Sequence, residues 1–105
     1  MEPRLASDLH KRAIQCLLPK STENVDYTGT PGTSSALAVG VIRLCASTDC
    51  YVLIAPVVNS VDPVADAEDM LLPAGVVEYF RVEAGWKVSV VQKSSGGELS
   101  ITQMA

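Results

Sequence analysis

The amino-acid sequence predicts an all-β fold, an antiparallel β-sandwich or a jelly-roll-like barrel with an N-terminal arm or short helix. Three observations favour it. Short runs rich in branched apolar residues recur about every ten residues, most spacers between them contain glycine, and no helical pattern separates them. At 105 residues the chain has room for one hydrophobic core and therefore one domain.

The N-terminal segment differs from the rest of the chain. Apolar residues recur there at helical spacing, namely Leu5, Leu9, Ala13, Cys16 and Leu17. Ser7 or Asp8 would cap a helix here and Pro19 would end it, which predicts a short amphipathic helix. An extended arm is the competing interpretation.

The stretch from Lys20 to Ser35 is dominated by Ser, Thr, Asn, Gly and Pro. Such a composition has too few apolar side chains to build a core element, so it predicts a loop or tether. The sequence therefore divides into an N-terminal arm and tether over residues 1–35 and a β-sandwich domain over residues 36–105.

Six segments of the second part have strand character: Ala36–Ala46, Cys50–Ala55, Met70–Leu72, Val76–Val82, Lys87–Gln92 and Glu98–Met104. The turn residues Ser47–Asp49 predict a hairpin between the first two, and the glycines near Ser94–Gly97 predict another before the last. Apolar and polar residues alternate in the last two segments, which predicts one buried and one wet face.

Composition limits the classes of partner that the protein is expected to bind. Hydrophobic residues make up 48% of the chain and charged residues 19%, which favours a surface partly covered by neighbouring subunits, as in a homo-oligomer. The net charge of −4 and the scattered basic residues oppose nucleic-acid binding. The apolar runs are too short to span a membrane, and residues 1–18 lack a secretory signal, so synthesis in a cytosol is expected.

The three cysteines, Cys16, Cys45 and Cys50, do not form a disulfide framework, because their number is odd. Buried or half-buried thiols are expected. A bond between Cys45 and Cys50 across the predicted hairpin, formed after cell lysis, is the alternative.

No pattern in the sequence predicts an enzyme or a cofactor. The single histidine, His10, lies beside Lys11 and far along the chain from any partner that a base would need. Four acidic residues in one loop offer the oxygen ligands that calcium prefers: Asp62, Asp66, Glu68 and Asp69. Their spacing differs from that of an EF-hand, so a solvated loop without metal is the prediction.

Aromatic residues supply candidate contacts. Trp86 follows a glycine turn and begins a strand, where it either caps the core or anchors an interface. Tyr79 and Phe80 are adjacent on one strand and must point to opposite faces, so one of them is expected on the outer surface or in a contact.

The chain from about Val41 to Met104 resembles small β-rich structural proteins encoded among the virion genes of tailed bacteriophages. The resemblance is carried by three stretches: the segment Arg43–Val52, the phrase DMLLPAGVVEYF over residues 69–80, and the ending GELSITQM over residues 97–104. Residues 1–30 have no part in it.

This resemblance implies a head decoration or cement protein, a non-catalytic unit that sits on the capsid lattice of the virion and clamps neighbouring copies of the major capsid protein. It implies assembly in the bacterial host cytoplasm. A neck, tail or fibre component is the alternative, and a carbohydrate-binding module that uses the acidic loop is a further one. The expected interface residues are Leu5, Leu9, Leu17, Leu18, Tyr79 and Trp86.

Overall fold

The structure, a computed structural model, describes residues 18–104, and over this range the chain forms eight β-strands. They are β1 (Pro19–Tyr27), β2 (Gly32–Thr33), β3 (Gly40–Ala46), β4 (Cys50–Ala55), β5 (Met70–Leu72), β6 (Glu78–Val82), β7 (Lys87–Gln92) and β8 (Gly97–Met104). Sheet I has the strand order β1-β8-β3-β6 and sheet II the order β2-β7-β4-β5. All ladders are antiparallel and the two sheets pack together, which confirms the predicted all-β sandwich class.

The strand pairs are nested along the chain. β1 pairs with β8, β2 with β7, β3 with β6 and β4 with β5. Two further ladders, between β3 and β8 and between β4 and β7, join these pairs into the two sheets. Among the strands of residues 18–104, β4 and β5 are therefore the only consecutive ones that pair with each other.

The hydrophobic core lies between the sheets and is built from alternating positions of each strand. In β3, Ile42, Leu44 and Ala46 face inward and are buried, whereas the residues between them are half-buried on the outer face. In β7, Val88 and Val90 are fully buried. Full burial of an aliphatic side chain contributes about 1.5–3 kcal/mol, so these alternating positions stabilise the contact between the sheets.

All six predicted strands are present, and two of them begin later than expected. β3 starts at Gly40 rather than at Ala36, and β6 starts at Glu78 rather than at Val76. Before β3 the chain forms a loop in which Leu37 exchanges backbone hydrogen bonds of 2.8 Å with Trp86 and Gly85. The loop thus caps one end of the core.

The predicted tether over Lys20–Ser35 is wrong for the residues that form β1 and β2. β1 runs alongside β8 for most of its length and inserts Val25 and Tyr27 into the core. Its remaining positions are mostly exposed and polar. β1 is an edge strand with only two core side chains, and its composition therefore resembles that of a loop. The sandwich therefore begins at Pro19 rather than at Ala36.

The predicted hairpin between β3 and β4 is also wrong, because β3 belongs to sheet I and β4 to sheet II. The connection Ser47–Asp49 crosses between the sheets and is bonded to β8, since Glu98 N donates to Ser47 Oγ at 2.9 Å. The glycine-containing link before β8 likewise crosses from sheet II to sheet I. Turn residues indicate where the chain reverses and do not indicate which strand it joins next.

The register places the connections at two opposite ends of the sandwich. Pro19 lies opposite Met104, Met104 opposite Val41, and Ala55 opposite Lys87, so these residues share one end. The loops of residues 34–39, 56–69 and 83–86 leave from that end. The turns of residues 28–31, 47–49, 73–77 and 93–96 lie at the other.

Candidate interaction surface

Exposed apolar side chains occur in the segments that leave the sandwich at the end from which β1 begins. We call this surface the apolar pole and define it by six residues: Leu18, Val39, Val57, Val58, Val61 and Val64. Four of them are the most exposed large apolar residues between 18 and 104: Leu18 at 69%, Val61 at 64%, Val64 at 62% and Val58 at 59%. Large exposed apolar side chains grouped on one surface are typical of interaction sites.

The most prominent feature of the apolar pole is a two-residue hairpin in the loop between β4 and β5. Val58 N donates to Val61 O at 3.1 Å and Val61 N donates to Val58 O at 2.9 Å. The two residues between them, Asn59 and Ser60, have positive φ angles of 53° and 62°. This is the pattern of a type I′ turn, and it places the two valine side chains next to each other on one face.

The same loop is fixed to sheet II at two points. Ala65 N donates a 2.9 Å hydrogen bond to Ser89 Oγ, and both residues are buried. Lys87 Nζ lies 3.1 Å from Asp62 Oδ1. The predicted wet face of β7 is therefore wrong at Ser89, which is fully buried because the loop covers it.

The side chain of Gln103 bonds to the backbone of the 34–39 loop at the apolar pole. The side-chain amide of Gln103 accepts from Ala38 N at 3.2 Å and donates to Ala38 O at 3.1 Å. The amide thus satisfies both backbone groups of a residue that has left the sheet. This contact and the backbone hydrogen bond between Leu37 and Trp86 attach the 34–39 loop, which ends at the exposed Val39, to the end of the sandwich.

The residues predicted to form an interface lie in different places. Leu18 belongs to the apolar pole, and Trp86 lies beside it, half-buried against the core. Tyr79 lies away from the pole, partly exposed on the outer face of sheet I and opposite Arg43. Leu5, Leu9 and Leu17 fall outside the described residues.

The adjacent aromatic residues divide as expected. Phe80 packs against the core, whereas Tyr79 is exposed. The prediction that one of the two lies on the outer surface is confirmed. Trp86 is half-buried and packs against the core.

The acidic residues of the 56–69 loop mostly take part in local bonds. Asp66 N donates to Asp69 Oδ2 at 2.8 Å, and Glu68 N donates to Asp66 Oδ1 at 2.9 Å. Asp62 pairs with Lys87 as described above. Within residues 18–104, no three His, Cys, Asp or Glu side chains are arranged to hold a metal ion.

A shallow cleft of about 320 Å³ lies between the start of β1 and the 34–39 loop. It is lined by Ser21, Thr22, Glu23, Ser35, Ala36, Leu37, Ile101 and Gln103. The Glu23 carboxylate accepts from Ser35 N at 3.1 Å and from Ser35 Oγ at 2.8 Å. These bonds attach the loop to β1, so we assign the carboxylate a structural role.

Cys45 and Cys50 are both free thiols in the structure. Cys45 alternates with the inward-facing Leu44 and Ala46 and is half-buried on the outer face of sheet I, whereas Cys50 is fully buried in the core. Burial raises the pKa of the Cys50 thiol, with an opposing effect from its hydrogen bond to Tyr27 and a reinforcing one from Asp49. The strand pairing thus gives the two thiols different surroundings and does not place them across a hairpin.

Sequence reasoning missed the exposed valines of the apolar pole. Val58, Val61 and Val64 fall in what composition describes as an acidic loop. A signal was present in the pair Asn59-Ser60 between two valines, because asparagine tolerates the positive φ that a two-residue hairpin requires.

Comparison with known proteins gives no match: no protein-family model, no curated protein and no solved structure matches this chain. Within residues 18–104 there is also no helix long and apolar enough to cross a membrane. The geometry of the apolar pole is therefore the main structural ground for inferring a function.

Proposed function

We propose that this chain is a non-catalytic structural protein of a tailed-bacteriophage virion, a capsid decoration or cement protein that stabilises the coat lattice. The observation that carries the proposal is the apolar pole, where Leu18, Val39 and the Val58–Val61 hairpin are exposed at one end of a small sandwich. Such a surface is suited to protein contacts. The resemblance of residues 41–104 to small β-rich virion proteins supplies the biological setting.

We infer that the fold is a jelly roll. The inference is supported by the nested pairing of β1 with β8, β2 with β7, β3 with β6 and β4 with β5. Folding a long hairpin of this kind over itself gives two four-stranded sheets of the kind seen in viral capsid domains. A small rigid unit of this type is suited to a structural, non-catalytic role.

The partner is the major capsid protein or another virion protein, and the protein acts as part of an assembly that includes further copies of itself. Leu18 precedes β1 and is exposed at the apolar pole. In this proposal Leu5, Leu9 and Leu17 contribute to the same contact as Leu18. Each contact is individually weak, and many of them on one symmetric particle gain strength through multivalency.

The test uses particles of the encoding virus that lack this protein. The purified chain is added to empty heads, bound copies are counted by quantitative mass spectrometry, and the temperature at which the heads disrupt is measured. We expect binding at a copy number close to that of the coat protein and a higher disruption temperature. Failure to bind, or binding with no gain in heat resistance, would refute the capsid-stabilising role.

Copy number also separates this function from a role in the neck, tail or fibre. The same apolar pole would serve an adaptor in those parts, but only a few copies would be present in each particle. Imaging intact particles with an antibody or tag on this chain locates it directly. A signal confined to the tail or neck would contradict the capsid proposal.

A further inference from the structure

The Val58–Val61 hairpin has the properties of a docking element. Its two valines lie side by side and are each more than half exposed. The backbone of the turn makes two reciprocal hydrogen bonds, so its conformation is set locally. The two valines form an apolar face beside the turn residues Asn59 and Ser60, and an apolar pocket on a partner would accommodate this face.

The hairpin is held in place before any partner arrives. The Asp62–Lys87 ion pair lies directly after it, and the Ala65–Ser89 hydrogen bond follows three residues later. A loop fixed in this way loses little conformational freedom on binding, which favours affinity. The exposed valines are therefore held in a fixed arrangement before binding, as expected for a docking element.

The charge of the loop that carries the hairpin restricts the kind of partner. The 56–69 loop contains Asp62, Asp66, Glu68 and Asp69 and has no Lys or Arg. Lys87 of β7 neutralises Asp62 and leaves the loop acidic. A second copy docking through the same surface would bring these carboxylates together, and so would an anionic lipid surface, so like-charge repulsion disfavours both.

We infer that the Val58–Val61 hairpin inserts into an apolar pocket on a different protein and that lysine or arginine side chains border this pocket. The inference rests on the proposed function, which makes that protein the coat protein. It goes further by assigning the inserted residues and the charge of the receiving surface. Apolar insertion supplies affinity, and the opposite charges supply orientation and rate of association.

The experiment compares variants on empty heads of the encoding virus. Val58→Asp/Val61→Asp places charge on the apolar face of the hairpin. Val76→Asp/Val77→Asp makes the same change at the opposite end of the sandwich, where both valines are also partly exposed. A third variant, Val58→Thr/Val61→Thr, keeps the β-branched shape and removes only apolar character. Far-ultraviolet circular dichroism and thermal melting establish that each variant is folded.

We expect Val58→Asp/Val61→Asp to weaken binding about tenfold or more, Val58→Thr/Val61→Thr to weaken it less, and the Val76/Val77 control to bind like the wild type. Glu68→Gln is expected to slow association at low salt and to match the wild type at high salt, where charge is screened. Equal binding by the wild type and Val58→Asp/Val61→Asp would overturn this inference and leave the proposed function standing.

Two other outcomes also count against it. A wild-type dimer in analytical ultracentrifugation that dissociates in the Val58→Asp/Val61→Asp variant would identify a second copy as the occupant. Wild-type protein that does not bind the heads at all would refute both the inference and the proposed function. The two failures are distinguishable because the proposed function fails only if the wild type does not bind the heads, whereas the inference alone fails if the wild type binds and the hairpin variant binds equally well.

Discussion

The backbone nitrogen of Ala65 donates a 2.9 Å hydrogen bond to the hydroxyl of Ser89, and both residues are almost completely buried. Ser89 lies on the outer face of β7, a position that sequence alternation assigns to solvent. The loop between β4 and β5 crosses this face and covers it. The Ser89 hydroxyl thus attaches the loop that carries the exposed valines to sheet II.

Replacing Ser89 by alanine is expected to destabilise the protein by about 1–3 kcal/mol, because the buried Ala65 N–H loses its acceptor. Urea unfolding measures the change in free energy. Hydrogen exchange of residues 57–69 is expected to accelerate as the loop detaches. Ser94→Ala, in an exposed turn, is the matched control, and equal stability of the two variants would contradict the role assigned to Ser89.

The buried Tyr27 hydroxyl organises the Ser47–Asp49 connection. It donates to Thr48 O at 2.9 Å and accepts from Thr48 N at 3.2 Å. Tyr27→Phe is expected to cost about 1–2 kcal/mol of unfolding free energy, since both backbone groups lose a partner. Tyr79→Phe, on an exposed tyrosine, should change stability by less than about 0.5 kcal/mol, and a larger loss there than at Tyr27 would be inconsistent with this assignment.

Gly97 begins β8 in a space too small for a side chain. A Cβ atom there would lie 2.5 Å from Thr48 Oγ1, 2.6 Å from Ser47 Oγ and 2.8 Å from the Tyr27 hydroxyl. Gly97→Ala is therefore expected to lose about 1–3 kcal/mol through overpacking and disrupted hydrogen bonds. Gly29→Ala, whose new atom would meet its nearest neighbour at 3.9 Å, is the control, and thermal melting of both compares them.

The raised pKa of Cys50 predicts a loss of stability at alkaline pH. Because the thiol ionises less readily in the folded state than at its ordinary pKa of 9.0, its stabilising contribution is complete below about pH 9. That contribution is lost as the pH rises through the folded pKa. The difference in unfolding free energy between wild type and Cys50→Ala should stay constant from neutral pH to about pH 8 and shrink above 9, whereas a difference that grew would contradict the burial of this thiol.

Strand positions were predictable because they depend on local composition. Branched residues in β3, β4, β7 and β8 alternate or cluster as strands require, and these segments were identified with small errors at their starts. β1 escaped notice because only Val25 and Tyr27 contribute to the core. Its other residues are ordinary loop residues that pair with β8 through the backbone.

Strand partners and the candidate site were less predictable, for a related reason. A turn such as Ser47–Asp49 has the same composition whether the next strand pairs with the previous one or crosses to the other sheet. The apolar pole likewise gathers Leu18, Val39 and Val58 from separate parts of the chain. Local patterns do not indicate which connections share one end of the sandwich.

The nested strand order has a consequence for how the protein is made. Thr22 and Thr102 share a 3.1 Å contact between their hydroxyls although they are eighty positions apart in the chain. β1 therefore leaves the ribosome long before β8, its ladder partner within residues 18–104, has been translated. β1 stays unpaired until β8 has been synthesised, and pairing strands so far apart along the chain makes folding slow.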